Sequence, residues 1–344
     1  MAVLKRTLRR DHEGVASTVG TIMALLVFLT FLSLIVNQYV PVWMKDSEAA
    51  HMSGALGQFG GFKGSVDLQV LAAQIAKDAG SHYIPMTTSN AITLGTDGVP
   101  IFAAPTLGEM ATVPDAAAWT VEFYYDIRGV PTFVEEASSG AISLSVQNRY
   151  YIPQRLVYEN GAVIRWQADG QVIRAPPVFE AIRLNGSLDM SFQLISLYGR
   201  DSVSGTTTEV VNAKVFGMDR QDYTDLVPMV ISGKDVLIAI NHTSAYGVAW
   251  YQFFNNTLSK ALGLTSGAFR SEPNPQNPQQ VFLLEFTARQ GIEDVYRVRT
   301  SWDGVGLVYI TRLEIFRTSF LPVGTFRLQH AHVQVGIGEA SEDL

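Results

Sequence analysis

The chain has 344 residues, no cysteine, and 25 basic against 32 acidic side chains, a formal net charge of −7. The missing thiols exclude disulfides and thiolate metal sites, and the acidic balance argues against nucleic acid as a partner. Charged residues make up only 17%, below the usual quarter, which suits a β-rich chain with uncharged polar faces or sizeable contact surfaces.

The first element is a run of 31 residues without a charge, 14–44, behind a basic N-terminus. A bilayer core takes about 20 apolar residues in a helix, and 15–36 supply them. Lipid leaves a helix as the form that satisfies its own backbone. Lys5, Arg6, Arg9 and Arg10 precede the run, so the positive-inside rule puts the N-terminus in the cytoplasm and residues after Met44 outside. Tyr39 and Trp43 fall at the expected far interface, as in an aromatic belt. Pro41 predicts a kink there, and Lys45, Asp46 and Glu48 mark aqueous ground. A secretory signal peptide is the competing reading, but its apolar region is about 7–15 residues with a small-residue cleavage site after it. Here the run is longer and no such site follows. Ala16, Gly20 and Ala24 form a small-residue ladder that lets helices approach closely in lipid; the plainer account is that Gly and Ala are common in membrane helices.

Helical periodicity continues past the membrane. Met52, Leu56, Phe59, Val66, Val70 and Ala73 lie on one helical face, although five glycines between residues 54 and 64 weaken it by up to about 1 kcal/mol each. A helical stalk over 45–78 is expected.

The segment KRTLRRDHEG followed by VASTVGTIMALLVFLTFLSLIV resembles the N-terminus of archaeal type IV pilin-like proteins with class III signal peptides. In that family a prepilin peptidase cuts before the apolar stretch at the cytoplasmic face, and the helix stays in the mature protein and packs subunits together. The resemblance implies a cut after Gly14 that leaves Val15 as the new N-terminus. Two residues depart from the pattern. Glu13 stands where a basic residue is commoner, and Val19 occupies the fifth mature position, where bacterial pilins carry glutamate. An uncut signal anchor is the alternative. The segments SEAAHMSGALGQFGGFKGSVDLQ, YENGAVIRWQADGQVIRAPP and SAYGVAWYQFF look like those of uncharacterised archaeal membrane-anchored proteins of the same plan.

From about residue 92 the pattern becomes short alternating runs separated by turn residues. The segments 120–127, 141–152, 161–167, 181–199, 209–217, 235–241, 280–288, 295–302, 306–317 and 325–337 are rich in β-branched and aromatic residues, which is strand chemistry. The clearest hairpin is GAVIRWQADGQVIRAP, with Asp169-Gly170 as its turn. Residues 244–264 instead place Val248, Tyr251, Phe254, Leu258 and Leu262 at helical spacing, with Ser244 as N-cap and Gly263 as C-cap. The Pro/Asn/Gln-rich stretch 271–280 reads as a loop, either a divider of two β subdomains near 265–280 or a long surface excursion.

The expected architecture is therefore α+β: a basic segment over 1–14, a transmembrane helix over 15–44, a stalk over 45–78, and a mainly antiparallel, sandwich-like outer domain over 79–344 with one packed amphipathic helix. Outside the first 14 residues, 21 basic side chains face 30 acidic ones, a balance of −9. Asn185, Asn241 and Asn255 each open an N-glycosylation sequon in this exported part.

No catalytic constellation stands out. Residues 57–65, GQFGGFKGS, lack the Gly-Lys-Ser/Thr ending of a phosphate loop and follow no strand. Ser266 is not in a nucleophile elbow. His330 and His332 share one face of a strand and would need a carboxylate to hold a metal; a half-exposed strand face is the commoner meaning. Asp219, Asp222 and Asp225 lack EF-hand spacing. The sequence predicts no enzyme and no cofactor. It predicts a pilin-like surface structural or adhesion subunit, with the bilayer, other such subunits and a prepilin peptidase as partners. The alternative is an exported carbohydrate- or peptide-binding module or hydrolase tethered to the membrane.

Overall fold

In the computed structural model, residues 9–264, 266–275 and 277–338 are described. Residues 9–78 form one helix in three stretches: α1 (Arg9–Leu34), a π-helical turn (Ile35–Tyr39) and α2 (Val40–Asp78). The π turn falls just before Pro41. Proline has no N–H to donate and its ring collides with the carbonyl four residues back, so the ladder widens there; the Val40 N–H reaches the Ile35 carbonyl instead. At the place of the expected kink, the helix carries this π turn.

Strands, numbered in chain order, make three sheets. A five-stranded sheet has the order β1 (Thr87–Thr93), β12 (Thr208–Tyr223), β20 (Val323–Ile337), β10 (Ser187–Tyr198) and β9 (Phe179–Leu184). Within it β10 and β20 run parallel and the other neighbours antiparallel. A six-stranded antiparallel sheet follows β11 (Ser202–Gly205), β2 (Gly108–Val113), β5 (Ala141–Val146), β6 (Gln154–Glu159), β7 (Ala162–Gln167) and β8 (Gly170–Ala175). The third, of nine strands, runs β13 (Leu226–Val227), β3 (Ala118–Ile127), β15 (Lys234–Ser244), β19 (Val308–Phe316), β18 (Glu293–Asp303), β17 (Asn277–Gln290) and β16 (Gly267–Asn274). In that sheet β4 (Val130–Ser138) lies beside β3, and β14 (Met229–Ile231) beside β15.

Two apolar cores organise these layers. One is built around α2: Met52, Phe59, Phe62 and Val66 pack with Ile92, Val211 and Val333 of the five-stranded sheet and with Leu144, Leu156 and Tyr158 of the six-stranded sheet. The predicted stalk is thus no free-standing rod, because its apolar face is the filling between two sheets. The other core joins the nine-stranded sheet to α3 (Gly247–Leu262), through Trp119, Ile238, Leu313, Trp250 and Phe254. Strand β10 serves both, with Phe192 and Leu194 in one core and Ile195 and Leu197 in the other. A strand covered on both faces reads as a continuous apolar run rather than an alternation.

Several turns differ from their sequence expectation by small, explicable amounts. The β7–β8 hairpin pairs Gln167 with Gly170, so its turn is Ala168-Asp169, one residue before Asp169-Gly170. The run 181–199 is two strands, split at Asn185 (φ 51°) and Gly186 (φ 86°), the consecutive left-handed pair of a type I′ hairpin. Helix α3 keeps its Gly263 cap in the left-handed conformation, but Ser244 is the last residue of β15 and its hydroxyl accepts the Tyr246 N–H and donates elsewhere. Within the Pro-rich stretch, residues 271–274 and 277–280 are strand rather than loop. They belong to the edge hairpin β16–β17, and an edge strand is where sheets tolerate the missing N–H of proline.

Candidate functional site

The apolar N-terminal helix comes first. The helix Ala16–Asp78 is long and apolar enough to cross a bilayer, and the most apolar window of it is unburied. Ala16, Gly20 and Ala24 lie in this bare stretch, with nothing within 4 Å of a Cβ placed on Gly20. Gly14 falls in the backbone of α1, as does Val15, but the side chain of Val15 lies outside the described residues.

Burial begins abruptly at the junction. Val40, Met44 and Glu48 lie one turn apart on α2, and all are buried. Glu48 does not mark aqueous ground: its carboxylate is the anchor point of two loops. Oε1 accepts the Thr106 hydroxyl at 2.6 Å and the Arg149 N–H at 3.0 Å, and Oε2 accepts the N–H groups of Tyr150 and Tyr151 at 2.9 and 2.6 Å. Burial pushes its pKa up, but these four donors outweigh burial and leave it below the ordinary glutamate value. Higher on the helix, buried Gln69 accepts the Val215 N–H at 2.9 Å and donates to the Ala213 carbonyl at 3.2 Å, beside the bulge in β12 between Val215 and Gly217. At the top, Lys77 pairs with Asp219 and Asp78 with Arg220. One face of α2 is therefore fastened along its whole length.

The opposite face is open. Gly54, Gly57, Gly61 and Gly64 have nothing within 4 Å of an added Cβ, and Leu68, Leu71 and Ile75 are exposed. These seven step by threes and fours, the 3.5-residue period of a helix–helix seam.

A buried polar cluster that sequence reasoning missed lies in the second core. The Glu159 carboxylate at the end of β6 accepts the Trp250 indole N–H and the Ser244 hydroxyl, the latter at 3.0 Å, and Oε1 lies 3.2 Å from His242 Nε2. His242 stacks on Trp119 at 3.7 Å between centroids, and its Nδ1 donates to the Ala118 carbonyl at 3.1 Å. Both ring nitrogens therefore face protein oxygens, which fixes the ring between β3 and β6. Ser244 donates to the carboxylate rather than to the imidazole, so this is not the nucleophile–base relay of a hydrolase. The signal available in sequence was the pairing of His242 and Ser244 two apart on one strand face.

The other candidates find ordinary partners. His330 and His332 do share a face, with ring centroids 4.3 Å apart. His330 bonds Ser196 at 2.9 Å and His332 bonds the Tyr198 hydroxyl at 3.0 Å. Burial and the neighbouring His332 lower the pKa of His330, partly offset by Glu136. Asp222 is paired with Arg327 and Asp219 with Lys77. Among the described residues no group of three His, Cys, Asp or Glu is placed to hold a metal ion. Of the sequons, Asn185 is exposed in its turn, Asn241 donates to Glu122 within the nine-stranded sheet, and Asn255 on α3 accepts from Tyr296.

A groove of about 540 Å³ opens beside the β7–β8 hairpin, lined by Trp166, Trp302, Tyr246, Tyr309, Gln171 and Asp169 among others. That size falls within the range of small-ligand sites, and Asp169 is the one carboxylate among its described lining residues. Comparison with protein-family models, curated proteins and solved structures finds no match to this chain. The class defined by the fold is an α+β protein, with one long apolar N-terminal helix built into a mostly antiparallel β domain.

Proposed function

We propose that this is a membrane-anchored, pilin-like surface subunit whose task is assembly. Helix α1 holds it in the bilayer with the N-terminus in the cytoplasm, the β domain faces outward, and α2 presents its open face to the helices of neighbouring subunits. The observation that carries this reading is the two-faced helix: Met52, Phe59 and Val66 are core on one side, while the seam from Gly54 to Ile75 lies bare on the other. Glycines cost a helix about 1 kcal/mol each, a cost offset where they let a second helix approach closely. Two measurements test it. N-terminal sequencing of the membrane-extracted protein is expected to begin at Val15; intact residues 1–14 would remove the processing step and leave the anchor. Cross-linking of a Leu71→Cys variant in intact membranes is expected to yield covalent dimers, and only monomer would count against assembly through this face.

A second reading is favoured by the groove beside β7–β8. Paired tryptophans and tyrosines with amide side chains suit a carbohydrate or an extended peptide. Its single lining carboxylate favours binding over glycoside hydrolysis, which uses two. Trp302→Ala is expected to abolish retention on a matching glycan while leaving cross-linking at Leu71 unchanged.

A further inference from the structure

Strand β1 and the residues after it run down α2 toward its N-terminal end. Gln69 Nε2 donates to Thr88 at 2.8 Å, Ser65 to Asn90 at 3.0 Å, and the Thr93 N–H to Gln58 at 2.9 Å. Next the Thr93 carbonyl lies 3.0 Å from His51 Nε2, and Thr96 lies 2.8 Å from Ser47. Each step forward along 88–96 is thus a step back along α2. Thr96 and Thr106 then form an isolated bridge, and Thr106 returns to Glu48. Residues 97–105 leave and re-enter at this base, beside Ser47 and Glu48, and the helix face on the N-terminal side of it is covered, with Val40 and Met44 each 1% exposed.

What this loop carries is apolar. Its tip is Pro100-Ile101-Phe102, held by the Phe102 and Ala103 N–H groups on the Val99 carbonyl at 3.0 and 2.9 Å. Ile101 is wholly exposed, and its φ is +73°, a conformation costly for a β-branched residue and a sign of function when it persists. The second loop fastened by Glu48 exposes Tyr150 and Ile152, and the helix exposes Trp43 about one turn before Ser47. The apolar core of the bilayer, entered near Val15, ends near Val36 after about 20 residues. At 1.5 Å per residue, Val40 lies about 6 Å beyond it, within the headgroup layer.

We propose that the loops 97–105 and 149–152 form a collar that rests in the headgroup layer of the same bilayer, with Ile101 and Phe102 as its deepest contacts and lipid as the partner. The collar rests on α1 being a membrane span. It gives the β domain a second point of attachment, so that the domain sits seated on the membrane rather than swivelling above it.

The absence of cysteine makes the test clean. Single-cysteine variants of the full chain, each carrying an environment-sensitive fluorophore, are reconstituted in phosphatidylcholine vesicles containing a nitroxide-labelled acyl chain. Phe28→Cys reports the span, Ile101→Cys and Ile152→Cys the collar, and Ala79→Cys the far end of α2. Quenching is expected to be strong at position 28 and several-fold greater at 101 and 152 than at 79. Quenching at 28 with none at 101 beyond that at 79 overturns the collar while leaving the anchor. No quenching at 28 removes the anchor and the collar with it.

Discussion

The carboxylate of Glu48 accepts the backbone N–H of Tyr151 at 2.6 Å across 103 residues of chain. The same group takes three further donors, so it closes two loops onto the N-terminal part of α2. Replacing it by alanine leaves the buried Thr106 hydroxyl and three part-buried N–H groups without their acceptor, and is expected to cost about 1–3 kcal/mol. Glu48→Gln keeps one acceptor oxygen and is expected to cost less. Chemical denaturation of the detergent-solubilised protein checks the order.

The same residue sets an acid limit. Its folded pKa lies below the ordinary value of 4.5, so the unfolded chain binds the proton more tightly than the folded one. The stability it contributes is therefore full above pH 4.5 and is lost as pH falls through the depressed folded value. Acid titration followed by tryptophan fluorescence is expected to show this loss in the native chain, and a flatter profile in Glu48→Gln.

The Glu159 cluster gives a second test, distinct in kind. Truncating Glu159 to alanine leaves the Trp250 N–H, the Ser244 hydroxyl and His242 Nε2 without their partner in a dry core, at an expected cost of about 1–3 kcal/mol or more. Ser244→Ala removes one donor to the carboxylate and the acceptor of the buried Tyr246 N–H, and is expected to cost about 1–3 kcal/mol. Because the residues share one network, Glu159→Ala and His242→Ala are expected to be strongly non-additive. A double-mutant cycle that sums the two single effects would show that they do not act as a unit.

Helix α3 enters its sheet at Gly247. A Cβ there would stand 2.3 Å from the Cβ of Tyr309 and 2.7 Å from the hydroxyls of Thr300 and Thr311. Backbone and branched side chains cannot yield much, so Gly247→Ala is expected to destabilise by about 1–3 kcal/mol through overpacking. Gly57→Ala, on the open face with free space around it, is expected to stabilise the isolated subunit by up to about 1 kcal/mol. Thermal melts of the two variants should therefore move in opposite directions.

The elements whose signal is local were legible in the sequence. The long apolar N-terminal helix, the Met52–Ala73 face and five strands of the nine-stranded sheet, β3, β15, β17, β18 and β19, announce themselves by period. What was hidden depends on partners far away in the chain. Glu48 looks like a marker of water, yet it stands four residues from Met44 and four from Met52, on the apolar face, and that spacing was its one clue. The run 181–199 contains Asn185-Gly186, a strong hairpin signal, but apolar residues on both sides hide the break because β10 is covered on both faces. Pro273 reads as loop chemistry, since sequence does not reveal that its strand is a sheet edge. The Glu159 cluster joins β6, β15 and α3, and no spacing in the chain connects them.

The three sequons differ in what their asparagines already do. Asn241 sits between paired neighbours in β15 and donates its amide to Glu122 at 3.0 Å. Asn255 accepts the Tyr296 hydroxyl at 3.2 Å. Asn185 is exposed at the tip of the β9–β10 hairpin with φ 51°. A transferase needs a free amide on an accessible backbone, so Asn185 is the expected glycan carrier in a glycosylating host. Asn185→Asp, which tolerates the left-handed backbone, is expected to abolish the glycan mass in intact-protein mass spectrometry. Asn241→Asp is expected to leave that mass in place while destabilising the sheet, because it sets a second carboxylate against Glu122 where an amide had donated. A glycan found on Asn241 instead would mean that this strand opens before the sheet closes around it.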